Sequence, residues 1–220
     1  LPILGKQVLC LDGDVGLRNL DITLGMTDAA LMDFSDVMAG RCDLSRAAVP
    51  HPTVSGLHLL TAPLTLPGDF PGEAGFQALL QQAREAYDYV LIDSPAGLGP
   101  GFRLAVCGAD RAIVVAVSDP SSLRDAQRVV TQLSQLETIH LVVNRVRPRL
   151  LRRQNTTIDD AMDTAGLPLL GLVPEDPKVV LAATEGRPLA QLGARRGAVR
   201  AYENIARRLT GQPVPLMGLR

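Results

Sequence analysis

Six short runs of mostly branched apolar residues recur along the chain with helix-like patterns between them, and this alternation constrains the fold more than any other feature. The runs lie at 7–11, 57–61, 88–93, 111–117, 139–144 and 169–173. Strands that alternate with helices at this interval indicate βαβ units and a mostly parallel sheet. The runs are nearly all apolar, which is typical of strands covered by helices on both faces. The sequence therefore predicts an α/β fold.

Helical patterns occupy most of the intervals. They lie at 29–39, 73–86, 100–108, 121–136, 156–165, 176–184 and 195–209. Ser118-Asp119-Pro120 is typical of a helix start with Pro in the first turn. No linker divides the pattern, so we predict a single domain over residues 1–210, followed by a tail at 211–220.

The composition argues against several classes of protein. With 22 basic and 23 acidic residues the net charge is −1, so we expect no nucleic-acid partner. The three cysteines are isolated from one another, which indicates reduced thiols in a cytosolic protein. No apolar run approaches the ~18 residues of a membrane span, and no signal peptide is visible. We therefore expect a cytoplasmic protein.

Polar residues follow five of the runs. In open α/β sheets, ligands bind where the strands end at their carboxyl side. A single polar residue there is often only a helix or turn cap, but five at one expected edge indicate a site. These residues are Asp12 and Asp14, Asp93-Ser94-Pro95, Ser118-Asp119, Asn144-Arg145, and Pro174-Glu175-Asp176.

Three chemistries are compatible with Asp12 and Asp14. A dinucleotide site requires a glycine-rich turn about 20 residues upstream, and only eleven residues precede Asp12. A phosphatase of the haloacid-dehalogenase type also uses a DxD pattern, but it needs a lysine and a later acidic pair at strand tips. Lys178 follows Pro177, and Asp159-Asp160 opens a helix. Nucleotide hydrolysis is the third chemistry and the one that the rest of the sequence favours.

The stretch YVLIDSPAGLG, residues 89–99, has the form of a Walker B strand. Four apolar residues end in Asp93, and an aspartate at such a tip helps to hold the Mg²⁺ of a bound triphosphate, often through water. The pattern of four apolar residues and an aspartate is common by itself. Together with the acid-rich DGDVGLRNLD at 12–21 it becomes distinctive.

Four stretches together resemble the MinD group of the MinD/ParA deviant-Walker ATPases. They are VLCLDGDVGLRNLDITLG, YVLIDSPAGLG, VVNRVRP and LLGLVPEDPKVVLAATEGRPL, and the match runs in order over about residues 4–215. GLRNLD favours the MinD group over the DNA-partition ATPases, while flagellar-number ATPases remain a close alternative. The resemblance implies a P-loop NTPase-like fold and ATP with Mg²⁺ as cofactors.

The resemblance also implies roles near the metal and the γ-phosphate. Asp12 would contact Mg²⁺ through water, and Asp93 would serve the same metal. Asp14 would position the attacking water, and Arg18 and Asn19 would follow in switch I. For Asp21 we expect only a helix cap or an exposed charge.

For the nucleotide itself the resemblance implies a second set of residues. Gly97 would let switch II approach the phosphate. Asn144 matches the family asparagine that reads the adenine, and the loop of Pro174, Glu175 and Asp176 would border the base.

The phosphate-binding loop of the family, of the type KGGVGKT, has no counterpart in the 220 residues. Gly5-Lys6-Gln7 lacks the upstream glycines and the Ser or Thr that contacts Mg²⁺, so we expect Lys6 to lie in a turn. Two explanations stay open: an N-terminally incomplete ATPase that lacks the first strand and loop, which we favour, or a non-enzymatic interaction module. In either case we expect no productive ATP binding by this chain alone.

The resemblance implies further partners in the complete protein. These are an ATP-dependent homodimer, a septation inhibitor, a topological regulator and the inner face of the cytoplasmic membrane, to which the protein would bind peripherally. The family usually ends in a short amphipathic membrane helix. Here LTGQPVPLMGLR ends at Arg220, and we expect a frayed tail.

Overall fold

The computed structural model describes residues 1–154, 156–192 and 196–217. These residues form two compact units, one of Leu1–Gly108 with Ala182–Pro188 and one of Ala109–Leu181 with Leu189–Arg220. Each unit contains a sheet of mostly parallel strands accompanied by helices. The predicted α/β class is therefore confirmed.

A four-stranded sheet organises the first unit. Its strands are β1 (Val8–Asp12), β2 (Val49–Pro50), β3 (Leu57–Leu60) and β4 (Tyr89–Asp93), in the order β2-β3-β1-β4. The central β1 pairs in parallel with β3 and β4, and the two-residue β2 pairs antiparallel with β3. In this register Asp12 and Asp93 are direct neighbours at the carboxyl edge of the sheet.

The helices of the first unit differ from the prediction mainly in three places, and one of these differences has a clear physical cause. They are α1 (Leu20–Leu24), α2 (Phe34–Met38), α3 (Leu44–Ala47), α4 (Gly72–Ala86) and α5 (Pro100–Val106), after a 3₁₀ turn at Pro2–Leu4. The predicted helix at 29–39 begins only at Phe34, because Asp33 caps it: its carboxylate accepts hydrogen bonds from the Ser35 and Asp36 amides. The short α1 and α3 were not predicted.

The second unit contains a three-stranded parallel sheet in the order β5-β6-β7. Its strands are β5 (Arg111–Ala116), β6 (Thr138–Val146) and β7 (Leu169–Pro174). The helices that follow Gly108 are α6 (Pro120–Gln132), α7 (Pro148–Gln154), α8 (Ile158–Ala165), α9 (Pro177–Thr184) and α10 (Gly197–Leu209), with a 3₁₀ turn at Leu189–Leu192. Arg195, the first residue of the predicted last helix, lies outside the described residues, as do residues 218–220 of the tail.

Two apolar cores stabilise the two units. In the first, Phe34 is fully buried with its ring in an edge contact with Phe76, the ring centroids being 5.6 Å apart. In the second, α10 packs closely on β7, since a Cβ on Gly171 would lie 2.4 Å from Ile205 Cγ1. Glycine in the middle of β7 thus permits the close approach of the helix.

The expectation that helices cover both faces of every strand is wrong for β4 and β5. Leu91 of β4 is 39% exposed, and Ile113 and Val115 of β5 are 38% and 60% exposed. Each of these strands has one hydrogen-bonded neighbour in the described sheets. In the part of the chain that the structure describes, no helix is long and apolar enough to cross a membrane.

Candidate nucleotide and metal site

Asp12 organises the loop that follows β1. Its side chain is buried, with 1% exposed, and both carboxylate oxygens accept backbone hydrogen bonds: Oδ1 from the Asp14 amide at 2.9 Å and Oδ2 from the Leu20 amide at 3.1 Å. A buried carboxylate requires such donors, because an unpaired one is costly. Asp12 therefore fixes the start of the loop and the start of α1 at the strand tip.

Gly13 allows the tips of β1 and β4 to approach each other. Its amide donates to the Asp93 carbonyl at 2.9 Å, and a Cβ at this position would lie 2.7 Å from the same oxygen. Real side chains do not tolerate that distance. The DGD sequence thus places glycine where the backbone contact requires it, between two carboxylates.

Three carboxylates, those of Asp12, Asp14 and Asp93, lie at or just after the ends of the two strands at this edge, and the pKa of Asp93 reflects their proximity. Burial, then Asp12 and Asp14, raise the pKa of Asp93 above its ordinary value. A cation beside these groups would offset their negative charge, and carboxylate oxygens are the protein ligands that Mg²⁺ prefers. No cluster of three or more metal-binding side chains of the His, Cys, Asp or Glu types occurs among the described residues. The donor set fits a Mg²⁺ ion that keeps most of its ligands as water and phosphate.

The raised pKa of Asp93 predicts a specific pH dependence. A carboxyl group that holds its proton more tightly in the folded chain stabilises the fold at low pH, and this contribution is lost as the pH rises through the folded pKa. Ionised Asp93 is therefore destabilising at neutral pH, but only modestly, because its side chain is exposed and solvent screens part of the repulsion. We expect Asp93→Asn to raise the melting temperature at pH 7 and to have little effect below the ordinary aspartate pKa of about 4.

Thermal melts followed by circular dichroism at several pH values test this expectation. Asp163→Asn is the matched control: Asp163 is an aspartate of α8 in the second unit that is exposed as Asp93 is, and its substitution should give no such pH-dependent gain. A melting temperature for Asp93→Asn that equals the parent's at pH 7 would contradict the prediction.

The loop after Asp14 holds Arg18 in an unusual conformation. Arg18 has a φ of 46°, a left-handed value that is uncommon outside glycine. Its guanidinium donates to the Ala30 carbonyl at 3.4 Å and lies 3.8 Å from the Asp21 carboxylate. Asn19 is exposed and forms the N-cap of α1, without a capping bond from its side chain.

The expectation for Asp21 is wrong. Asp21 is 6% exposed and therefore not an exposed charge, and the N-cap position belongs to Asn19. Its Oδ1 accepts from the Ile22 amide, and its Oδ2 faces Arg18. Asp21 thus lies in the first turn of α1 with its side chain buried, where it balances the charge of Arg18.

Gly97 lies in the exposed loop after β4. Its φ of 84° is in the region that favours glycine, and a Cβ there would meet no atom within 4 Å. Glycine is therefore favoured at this position by the backbone conformation and not by a lack of space.

In the second unit, charged side chains surround the ends of β6 and β7. Glu175 accepts two hydrogen bonds from Arg147, one of them at 2.5 Å from Nη2, and lies 3.6 Å from Arg145. The hydrogen bonds from Arg147 hold the pKa of Glu175 below its usual range. Desolvation acts in the opposite direction but is the smaller effect. Asn144 Oδ1 accepts from the Arg145 amide at 2.9 Å, which fixes the orientation of its amide group. Arg145 was predicted at this strand tip without a role, whereas Arg147 was not predicted as part of the site.

Asp176 has a structural role that the sequence did not reveal. Its carboxylate accepts from the Lys178 amide at 3.0 Å and from the Ala198 amide at 3.2 Å, at the starts of α9 and α10. Pro174, two residues earlier, is the last residue of β7. Asp119, the acid after β5, likewise caps α6. The geometry thus shows Asp176 and Asp119 as helix caps.

Comparisons with known proteins identify the family of the chain. A family model described as an AAA domain matches residues 1–149. The septum site-determining protein MinD of Bacillus subtilis is 39% identical over 224 residues, which include 100% of this chain and 83% of the relative. The second of these values means that the relative is longer than this chain.

Two solved structures are similar as well. The MinC:MinD cell division protein complex of Aquifex aeolicus contains a chain that is 34% identical, with a TM-score of 0.90, covering 99% of this chain and 88% of that one. MinD of Pyrococcus horikoshii complexed with Mg-ADP is 25% identical, with a TM-score of 0.80 and coverage of 94% and 85%. The chain belongs to the family of septum site-determining MinD proteins.

Proposed function

We propose that this chain carries the metal and water half of an ATPase site that acts in the selection of the cell division site. The observation that carries the proposal is the pairing of Asp12 with Asp93 in the register of two adjacent parallel strands, with Asp14 close enough to raise the pKa of Asp93. The Mg-ADP bound to the Pyrococcus horikoshii relative supports the choice of ligand.

Each residue has a defined task in this proposal. Asp12, with both oxygens occupied by amides, would contact Mg²⁺ through water, and Asp93 would do the same from β4. The Asp14 carboxylate accepts no hydrogen bond within the described residues, so it is available to orient water. Mg²⁺ would neutralise charge on the phosphates, which is most of what phosphoryl transfer demands.

The remaining residues would hold the nucleotide and the switch. Asn144, with its amide fixed by Arg145, would read the adenine, and Pro174, Glu175 and Asp176 would border it. Arg18, Asn19 and Gly97 would form the switch loops. We further propose that both units belong to one ATPase domain over residues 1–210.

The proposal extends to the partners. The Aquifex aeolicus relative forms a complex with MinC, which supports a septation inhibitor as a partner here. An ATP-dependent homodimer, a topological regulator and reversible binding to the inner face of the cytoplasmic membrane, with hydrolysis releasing the dimer, complete the proposed cycle. The protein would otherwise be cytoplasmic, and no nucleic acid would bind to it.

A comparison of two proteins tests the function. One is the 220-residue chain, which contains no glycine-rich phosphate loop; the other carries a KGGVGKT-type strand, loop and helix of the family pattern ahead of Leu1. We expect the first to show no ATP binding by calorimetry, because backbone amides and a lysine must surround the phosphates. We expect the second to hydrolyse ATP only when Mg²⁺ is present.

Each outcome has a definite meaning. The second protein, with the added strand, loop and helix, is called the chimera below. If the chimera folds but does not hydrolyse ATP, the ATPase proposal is rejected and the non-enzymatic interaction module is favoured. Micromolar ATP affinity in the 220-residue chain would show that the phosphates do not depend on a loop of this type.

A further inference from the structure

Helix α1 has too little structure of its own to keep its position. It has five residues, fewer than an isolated helix needs to be stable in water. Among its side chains only that of Asp21 is buried, and Ile22 is 52% exposed. Yet the first amide of this helix binds Asp12. Other contacts must therefore hold α1 in place.

One such contact is a direct approach of two backbones at the end of α1. Gly25 is the C-cap residue, with a φ of 67°. A Cβ on Gly25 would lie 1.7 Å from the Gly186 carbonyl oxygen and 2.8 Å from its carbon. A Cβ on Gly186, whose φ is 58°, would lie 3.0 Å from the Gly25 Cα and 3.6 Å from the Ile22 carbonyl oxygen. Because neither residue has a Cβ, the backbone of each glycine can occupy the space beside the other.

Both sides of this contact are anchored. The Gly186 amide donates to the Ala183 carbonyl and the Arg187 amide to the Ala182 carbonyl, which closes the end of α9. On the other side, His51 Nε2 lies 3.0 Å from the Leu24 carbonyl oxygen. His51 Nδ1 accepts from the Thr53 and Val54 amides, so its proton is on Nε2 and is donated to Leu24. All these residues belong to the first compact unit.

We propose that Gly25 and Gly186 are positioning residues for the candidate metal site. Their backbone contact holds the carboxyl end of α1, and the helix in turn holds the Leu20 amide against Asp12. The carboxylate of Asp12 keeps its orientation at the strand tip for as long as this amide is in place. The catalytic meaning of this arrangement rests on the proposed ATPase function, whereas the mechanical link from Gly186 to Leu20 does not.

Hydrogen exchange of the 220-residue chain, resolved by residue, tests the link. Gly25→Ala and Gly186→Ala both remove the contact, since the added Cβ meets backbone. Gly40→Ala is the matched control: Gly40 has a similar φ of 70° in the same unit, but a Cβ there would meet nothing within 4 Å. All three variants carry the same penalty for alanine in a left-handed conformation.

The expected result is local and specific. The Met26 amide donates to the Asp21 carbonyl at 2.8 Å and so reports on the end of α1, as the Leu20 amide reports on its start. Relative to the most protected amides of the first unit, both amides should exchange about tenfold faster or more in the two contact variants and be unchanged in Gly40→Ala. The double variant Gly25→Ala/Gly186→Ala should lose no more protection at Leu20 than either single variant, because both remove one contact. Unchanged exchange at Leu20 in both single variants, or equal loss in Gly40→Ala, would overturn the proposal. No nucleotide is used, so failure of the ATPase proposal would appear separately, in the turnover of the chimera.

Discussion

Asp14→Asn, introduced into the chimera that carries a phosphate loop ahead of Leu1, is expected to lower kcat for ATP hydrolysis by about 10²- to 10⁴-fold. The substitution keeps the size of the side chain and removes the charge that would orient the attacking water under the proposed function. The Asp14 amide, which donates to Asp12 at 2.9 Å, is unaffected, so the loop should keep its shape. Steady-state turnover with saturating Mg-ATP is the measurement, and ATP affinity should change little.

Asp28→Asn is the control for this experiment. Asp28 is an exposed acid of the same region, fourteen positions further along the chain, and its φ of 59° suits asparagine equally well. The Asp28→Asn variant should hydrolyse ATP at the rate of the unsubstituted chimera. If Asp14→Asn also hydrolysed ATP at the parental rate, Asp14 would have no role in positioning water.

Phe34→Ala is expected to destabilise the first unit by about 3–5 kcal/mol. The Phe34 side chain is fully buried and contacts the rings of Phe70 and Phe76, with centroid distances of 6.5 and 5.6 Å. Truncation removes buried apolar area and leaves a cavity that the surrounding leucines cannot fill, because the core is already close-packed. Urea denaturation followed by circular dichroism gives the change in the free energy of unfolding.

Leu31→Ala provides the comparison for the core variant. Leu31 lies three residues away and is 93% exposed, so its truncation should change the free energy of unfolding by at most about 0.5 kcal/mol. A loss below about 1 kcal/mol for Phe34→Ala would mean that the aromatic cluster does not hold the unit together.

Most strands could be predicted from the sequence, because each long apolar run has a strong local signal. The two-residue β2 and the short helices α1 and α3 have no such signal, since their positions depend on tertiary contacts more than on periodicity. The start of α2 is an intermediate case. The capping residue Asp33 is visible in the sequence, but the helical pattern around it favoured an earlier start.

In the candidate site, too, some features could be predicted from the sequence and others could not. The sequence predicted that Asp12, Asp14 and Asp93 lie at strand tips, and the pairing of β1 with β4 brings Asp12 and Asp93 together as neighbours. It did not predict that Asp21 would be buried beside Arg18, or that the Asp176 carboxylate would bind amides at the starts of two helices, those of Lys178 and Ala198, 20 positions apart. A single residue type, aspartate, serves as a cap, an ion-pair partner or a site carboxylate according to the donors around it.

By itself the sequence determined the α/β class and the carboxylates that follow β1 and β4, because periodicity and strand-end position are local properties of the chain. Only the tertiary structure decided which aspartates accept hydrogen bonds from backbone amides and which do not. It alone also revealed why Gly25 and Gly186 are glycines, 161 positions apart in sequence but with their backbones in contact. Such a requirement is set by the space between two segments, and no pattern within either segment contains it.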